Sequence, residues 1–73
     1  MQIEVNGEKR DVPDNLTVEA LIAHLGLAVE RLAVERNREV VSRAHWPIIT
    51  LEVDDQIEII HFVGGGTITG DKS

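Results

Sequence analysis

The sequence predicts an α+β fold in two layers, a mixed sheet of four to five strands with one main helix across one face. Three observations carry that prediction. Strand-like segments stand at opposite ends of a chain of 73 residues. An Asn6-Gly7 pair follows the first of them at once. Between the ends, one stretch places Val18, Leu21, Ile22 and Leu25 at helical spacing.

Each element has its own signal. Ile3 and Val5 alternate with Gln2 and Glu4, the period of a half-buried strand. Asn6-Gly7 predicts a type I′ hairpin turn, because both central positions of that turn need positive φ. Glu8 to Val12 is then the returning strand, polar like an edge strand and ended by Pro13. The helix is punctuated at both ends. Thr17 is placed as N-cap, with Leu16 before it able to pack on Leu21. Glu19 in the first turn and a protonated His24 in the last both suit the helix dipole. Gly26 sits where a left-handed residue closes a helix, and Leu27 is placed to fold back on Ile22.

Leu32 to Arg36 and Val40-Val41 predict a second hairpin around Asn37-Arg38, and Arg43 to Pro47 an irregular turn carrying Trp46. Asp54-Asp55 punctuates a final strand, Gln56 to Val63, with Ile57 and Ile59 on one face and Glu58 on the other. Its second half, Ile60-His61-Phe62-Val63, is apolar at nearly every position. That fits a central strand buried on both faces, or one whose outer face is kept apolar for a partner. The first and last strands are the most apolar, so they belong together in the middle of the sheet. The expected arrangement is a β-grasp, with a domain over residues 1–63 and a flexible Gly-rich C-terminal tail over 64–73.

Composition narrows the function classes. A chain of this length buries only roughly 60% of the surface its unfolded form exposes, so the core is thin. Hydrophobic residues at 42% and charged residues at 27% fit a globular chain rather than a disordered one. There is no cysteine, which excludes disulfides, thiolate zinc sites, iron–sulfur clusters and a cysteine nucleophile. A net charge of −6 is a poor basis for binding a phosphate backbone but suits steering toward a basic protein surface. No apolar run approaches the roughly 20 residues that span a bilayer, and the N-terminus lacks the order of a signal peptide. A cytoplasmic protein with neither nucleic-acid nor membrane partners is expected.

Few residues could carry chemistry. His24, His45 and His61 lie on three different elements at no metal-ligand spacing, so no metal is expected. Glu52, Asp54, Asp55 and Glu58 lack the rhythm of a calcium loop and read as turn chemistry and a solvated face. Neither Ser42 nor Ser73 lies in a nucleophile elbow. The C-terminal GGTITGDKS nearly spells a phosphate-binding loop, but Asp71 stands between the glycine and the lysine and no helix follows. What remains is Gly64-Gly65-Gly66 after the last strand. Three residues without Cβ make either a loose linker or a slim backbone able to thread a narrow channel.

A set of short motifs, in order and at matching spacing, resembles the ThiS family of sulfur carriers in thiamine biosynthesis, within the ubiquitin-like β-grasp superfamily. The motifs are Met1-Gln2-Ile3 with Asn6-Gly7, Leu16-Thr17-Val18, Leu25-Gly26-Leu27, Val34-Glu35-Arg36-Asn37, Val41-Ser42-Arg43 with Trp46, and the run Asp55 to Gly66. The resemblance implies a protein cosubstrate rather than an enzyme. It binds no cofactor itself; its terminal glycine carboxylate, here Gly66, is adenylated with ATP by a ThiF-type adenylyltransferase. The carboxylate is then converted to a thiocarboxylate with sulfur from a sulfur-donating protein, and the sulfur passes to thiazole synthase, ThiG. Gly64 and Gly65 would be the slim approach. Ile60 and Phe62, opposite Ile57 and Ile59, would contact the activating enzyme or else belong to the core.

One departure matters. Thr67 to Ser73 follow the glycines, and a blocked carboxylate cannot be adenylated. Trimming, an addition to the natural chain, or the loss of sulfur carriage would each account for it. Asp54-Asp55 also stands where the family commonly has a Gly-Asp turn. The molybdopterin-synthase small subunit shares the fold, but its usual Pro-Pro-x-x-Gly-Gly ending differs from Phe62-Val63-Gly64-Gly65-Gly66 here. A β-grasp binding module that carries no sulfur is the alternative from another class.

Overall fold

The computed structural model describes residues 1–62. Strands β1 (Gln2–Val5) and β2 (Glu8–Asp11) form the first hairpin, and helix α1 (Val18–His24) follows. Strands β3 (Leu32–Arg36) and β4 (Glu39–Val41) form the second hairpin, and β5 (Gln56–His61) closes the order. The sheet runs β2-β1-β5-β3-β4. Its two central strands, β1 and β5, are parallel, and every other pairing is antiparallel. This is the β-grasp, with five strands and the first and last of them in the middle.

Both hairpins turn as their residues require. Asn6 and Gly7 have φ of 51° and 83°, and Asn37 and Arg38 have 52° and 73°. Arg38 adopts without strain relief what Gly7 adopts freely, because an L side chain in the left-handed region crowds its own carbonyl. β2 ends one residue earlier than expected. Val12 has turned into the core, and its N–H bonds the Met1 carbonyl at 2.8 Å.

The helix caps follow the sequence. The Thr17 hydroxyl accepts from the Ala20 N–H at 3.0 Å. At the other end Gly26, with φ of 73°, donates to Ala23, while Leu27 donates back to Ile22 at 3.1 Å, a Schellman closure. The first helical N–H groups, which have no partner inside the helix, donate outward: Val18 to Ile49 and Glu19 to Trp46. These bonds fasten the helix to the segment between β4 and β5.

The core lies between α1 and one face of the sheet. Val18, Leu21 and Ile22 pack there with Ile3, Val5, Val34, Ile57 and Ile59. Trp46 belongs to it as well, at 3% exposure, with its indole N–H donating to the Val41 carbonyl at 3.0 Å. The Arg43 guanidinium sits 4.8 Å from the ring centre. The expected irregular turn is a short 3₁₀ segment over Arg43–His45 that delivers this ring to the core.

β5 corrects one expectation. Its burial alternates, with Ile57 and Ile59 buried and Gln56, Glu58 and Ile60 exposed. The strand is central yet buried on one face only, because α1 covers a single side of the sheet. Its end at His61 leaves Val63, expected to be part of it, outside the described residues together with the tail 64–73.

Candidate functional site

β5 leads to the glycines, so what holds and surrounds it defines the candidate site. On one side it pairs with β3 along its length, from Arg36↔Ile57 to Leu32↔His61. On the other side β1 offers only Glu4↔Gln56 and Val5↔Ile57 before it turns away. The Asn6 side chain continues the ladder from the turn. Its Oδ1 accepts from the Ile59 N–H at 2.8 Å, and its Nδ2 reaches the Ile59 carbonyl at 3.4 Å. One side chain thus stands in for the next backbone unit of β1, because an amide carries both an acceptor and a donor.

Asn37 does the same at the start of the strand. Its backbone N–H donates to the Gln56 carbonyl at 2.7 Å, and its Oδ1 accepts from the Gln56 N–H at 2.9 Å. Its Nδ2 donates to Asp55 at 3.0 Å. Asp55 also accepts from Arg36 Nε and from the Glu52 N–H, both at 2.8 Å. Burial opposes ionisation of Asp55. The hydrogen bonds from Glu52, Asn37 and Arg36, with the Arg36 charge, outweigh it and hold the carboxyl below its ordinary value. Asp55 is therefore a buried hub tying β3, the β3–β4 turn and β5 together, not part of the solvated face expected for the acidic cluster. Asp54 beside it has φ of 69°, which accounts physically for a glycine being favoured at that position in the family pattern.

The exit end of β5 differs. Among the described residues the last backbone bond is from the Phe62 N–H to the Arg31 carbonyl at 2.9 Å. Ile60 and Phe62 are 43% and 36% exposed. They are surface residues rather than part of the core. On the open face of the sheet Ala33 stands opposite Ile60, and Val40 on β4 is exposed. Glu35 and Glu58 stand directly opposite one another on that face, a like-charge pairing that works against the sheet. Gly64, Gly65 and Gly66 lie outside the described residues.

The histidines are separated in part. His45 lies 3.1 Å from Ser42 in the 3₁₀ segment, while His24 and His61 line one cleft on the helix side of β5. Among the described residues no group of three or more metal-ligating side chains comes together. Among the same residues no helix is long and apolar enough to cross a membrane. Sequence reading missed the roles of Asn6, Asn37 and Asp55, although the two turn asparagines were themselves visible as turn residues.

The fold and the half-exposed last strand define a ubiquitin-like β-grasp domain. The model of the family described as "ThiS family" matches residues 2–66. The sulfur carrier protein ThiS of Bacillus subtilis is 37% identical over 67 residues, covering 88% of this chain and 98% of that protein. A crystal structure of the thiamine biosynthesis protein ThiS from Geobacter metallireducens superposes with a TM-score of 0.81 at 35% identity, covering 90% of this chain and all of that one. A thiazole synthase of Magnetococcus marinus is 48% identical over 66 residues, 90% of this chain and 20% of that protein. A thiazole synthase of Paramagnetospirillum magneticum is 38% identical over 72 residues, 99% of this chain and 22% of that protein. The chain thus spans about a fifth of the length of the two thiazole synthases. The chain belongs to the ThiS family.

Proposed function

We propose that the chain is a sulfur carrier for thiazole formation in thiamine biosynthesis, a cosubstrate with Gly66 as its acyl site. The observation that supports this most directly is the family match running through Gly66, on a domain whose last strand is clamped at its start and open at its exit. The chemistry explains why a carrier is built this way. A carboxylate is a poor acyl donor. Attack of the Gly66 carboxylate on the α-phosphorus of ATP expels pyrophosphate and leaves an acyl-adenylate. A sulfur nucleophile then attacks the acyl carbon and AMP departs. The activating partner supplies the electrostatics for both steps, and the carrier supplies position.

Position is what β5 provides. Gly66 lies four residues beyond Phe62, and four fully extended residues span at most about 13–14 Å between Cα atoms. A reaction centre at that depth is served by Gly64 and Gly65, whose bare backbone fits a narrow approach. Ile60 and Phe62 on the open face, with Glu35 and Glu58 beside them, form the contact for an apolar and basic surface of a ThiF-type adenylyltransferase.

The partner that receives the sulfur is thiazole synthase. Two relatives that carry this region within their own chain are thiazole synthases, and the one from Paramagnetospirillum magneticum aligns over 99% of this chain, residues beyond Gly66 included. That alignment favours Thr67–Ser73 as natural sequence. Cleavage of the Gly66–Thr67 bond then precedes adenylation.

The test is a chain ending at Gly66, incubated with a thiamine-pathway adenylyltransferase and ATP. Release of pyrophosphate with AMP attached to the chain is expected, and no release from the chain ending at Ser73. Absence of acyl-adenylate on the Gly66 form would leave the non-carrying binding module as the reading.

A further inference from the structure

The helix side of β5 holds an open cleft of about 320 Å³ between the end of α1 and the first hairpin. Its floor is apolar, with Leu25, Leu27 and Ile59. Its rim brings Arg10 from β2, His24 from α1 and His61 from β5 to one place. Among the described residues these three side chains have no hydrogen-bond or ion-pair partner, and no aspartate or glutamate lines the cleft. In a chain of net charge −6 with seven lysines and arginines, that places the Arg10 cation and two imidazoles over a floor of two half-buried leucines and the buried Ile59. It adjoins the residue at which β5 ends.

We infer that this cleft is a docking site for a segment of a partner protein that presents a carboxylate beside a large apolar side chain. Charge complementarity selects the carboxylate, and the floor selects the apolar neighbour. A small free anion fits less well, because the cleft is open and offers it no enclosing wall. The open face of the sheet has the opposite character, with Glu35 and Glu58 beside Ile60. The two sides of β5 therefore select partners of opposite charge, while both leave the strand's exit available. The inference rests on the carrier reading, which supplies the two enzymes that must in turn reach the same tail.

The test uses the chain ending at Gly66, titrated by calorimetry with the adenylyltransferase and with thiazole synthase separately. Arg10 lies on the exposed edge strand, so Arg10→Glu leaves the core intact. It is expected to weaken binding to thiazole synthase, since the adenylyltransferase takes the open face, by about tenfold. Lys9→Glu makes the same change of charge one residue away on the opposite side of the sheet, and is expected to change that same affinity less than about twofold. The ring signals of His24 and His61 should shift when that enzyme is added. Indifference of thiazole synthase to Arg10→Glu, or an equal loss with Lys9→Glu, overturns the docking site and leaves the carrier reading standing. A wild-type chain that binds neither enzyme overturns the carrier reading and the docking site with it.

Discussion

The two ends of β5 are built in opposite ways. Its start is held from both sides: Gln56 by the backbone and side chain of Asn37, and the preceding Asp55 by three donors. Among the described residues its far end has β3 and one Arg31 carbonyl on one side, and beyond Ile59 nothing from β1. Side chains sort by face instead, with Ile57 1% exposed toward the helix and Ile60 43% exposed on the open face. A strand that must aim a tail needs one end that does not yield and another that a partner can reach. Local stability is therefore unequal along six residues.

That contrast can be tested by substitution, and the largest effect belongs to the buried start. Ile57→Ala removes a fully buried side chain and should cost about 2–5 kcal/mol, read from the denaturant midpoint. Asp55→Asn should cost about 1–3 kcal/mol, since it removes the charge opposite Arg36 and places an N–H₂ among donors. Its acid dependence has a definite sign. The folded carboxyl titrates below its ordinary value of 3.8, so the unfolded chain takes up the proton first as pH falls. The stabilisation is present in full above that value and is lost as pH falls through the folded one. The gap between wild type and Asp55→Asn should therefore close below pH 3.8; a gap constant down to pH 2 would contradict the hub.

Asn6→Ala comes next, at about 1–2 kcal/mol, because it deletes both bonds to Ile59 and puts alanine in the left-handed region. Amide exchange at Ile59 should accelerate. Asn6→Asp keeps the 2.8 Å acceptor and should recover most of the protection. The smallest effect on stability is at the exit. Ile60→Ala should change it by no more than about 0.5 kcal/mol, yet weaken binding of the adenylyltransferase. A loss of stability comparable to that of Ile57→Ala would mean that the open face is packed like the buried one.

Much of this arrangement was legible in the sequence, for a physical reason. Asn6-Gly7, Thr17 and Gly26 act through their own backbones, so their signals are local and their roles follow from neighbours in the chain. The alternation of Ile57, Glu58 and Ile59 gave the buried face, but it could not decide the fate of Ile60. That depends on whether a second layer covers the other side of the sheet. Trp46 was visible only as the single tryptophan of an irregular turn, because its burial depends on where a 3₁₀ segment places it. Asp55 looked like one of several acids in a turn. Its partners Arg36 and Asn37 lie 19 and 18 residues away, and no local pattern joins them. The basic cleft was missed likewise: Arg10, His24 and His61 come from three elements that only the fold brings together.

The central claim is that this chain carries sulfur on Gly66, and the most direct measurement is the intact mass of the protein recovered untagged from the cell that makes it. The account predicts a species ending at Gly66, part of it heavier by the exchange of one carboxylate oxygen for sulfur. A protein found only with Gly66 still joined to Thr67, and with no sulfur-bearing fraction, would contradict it.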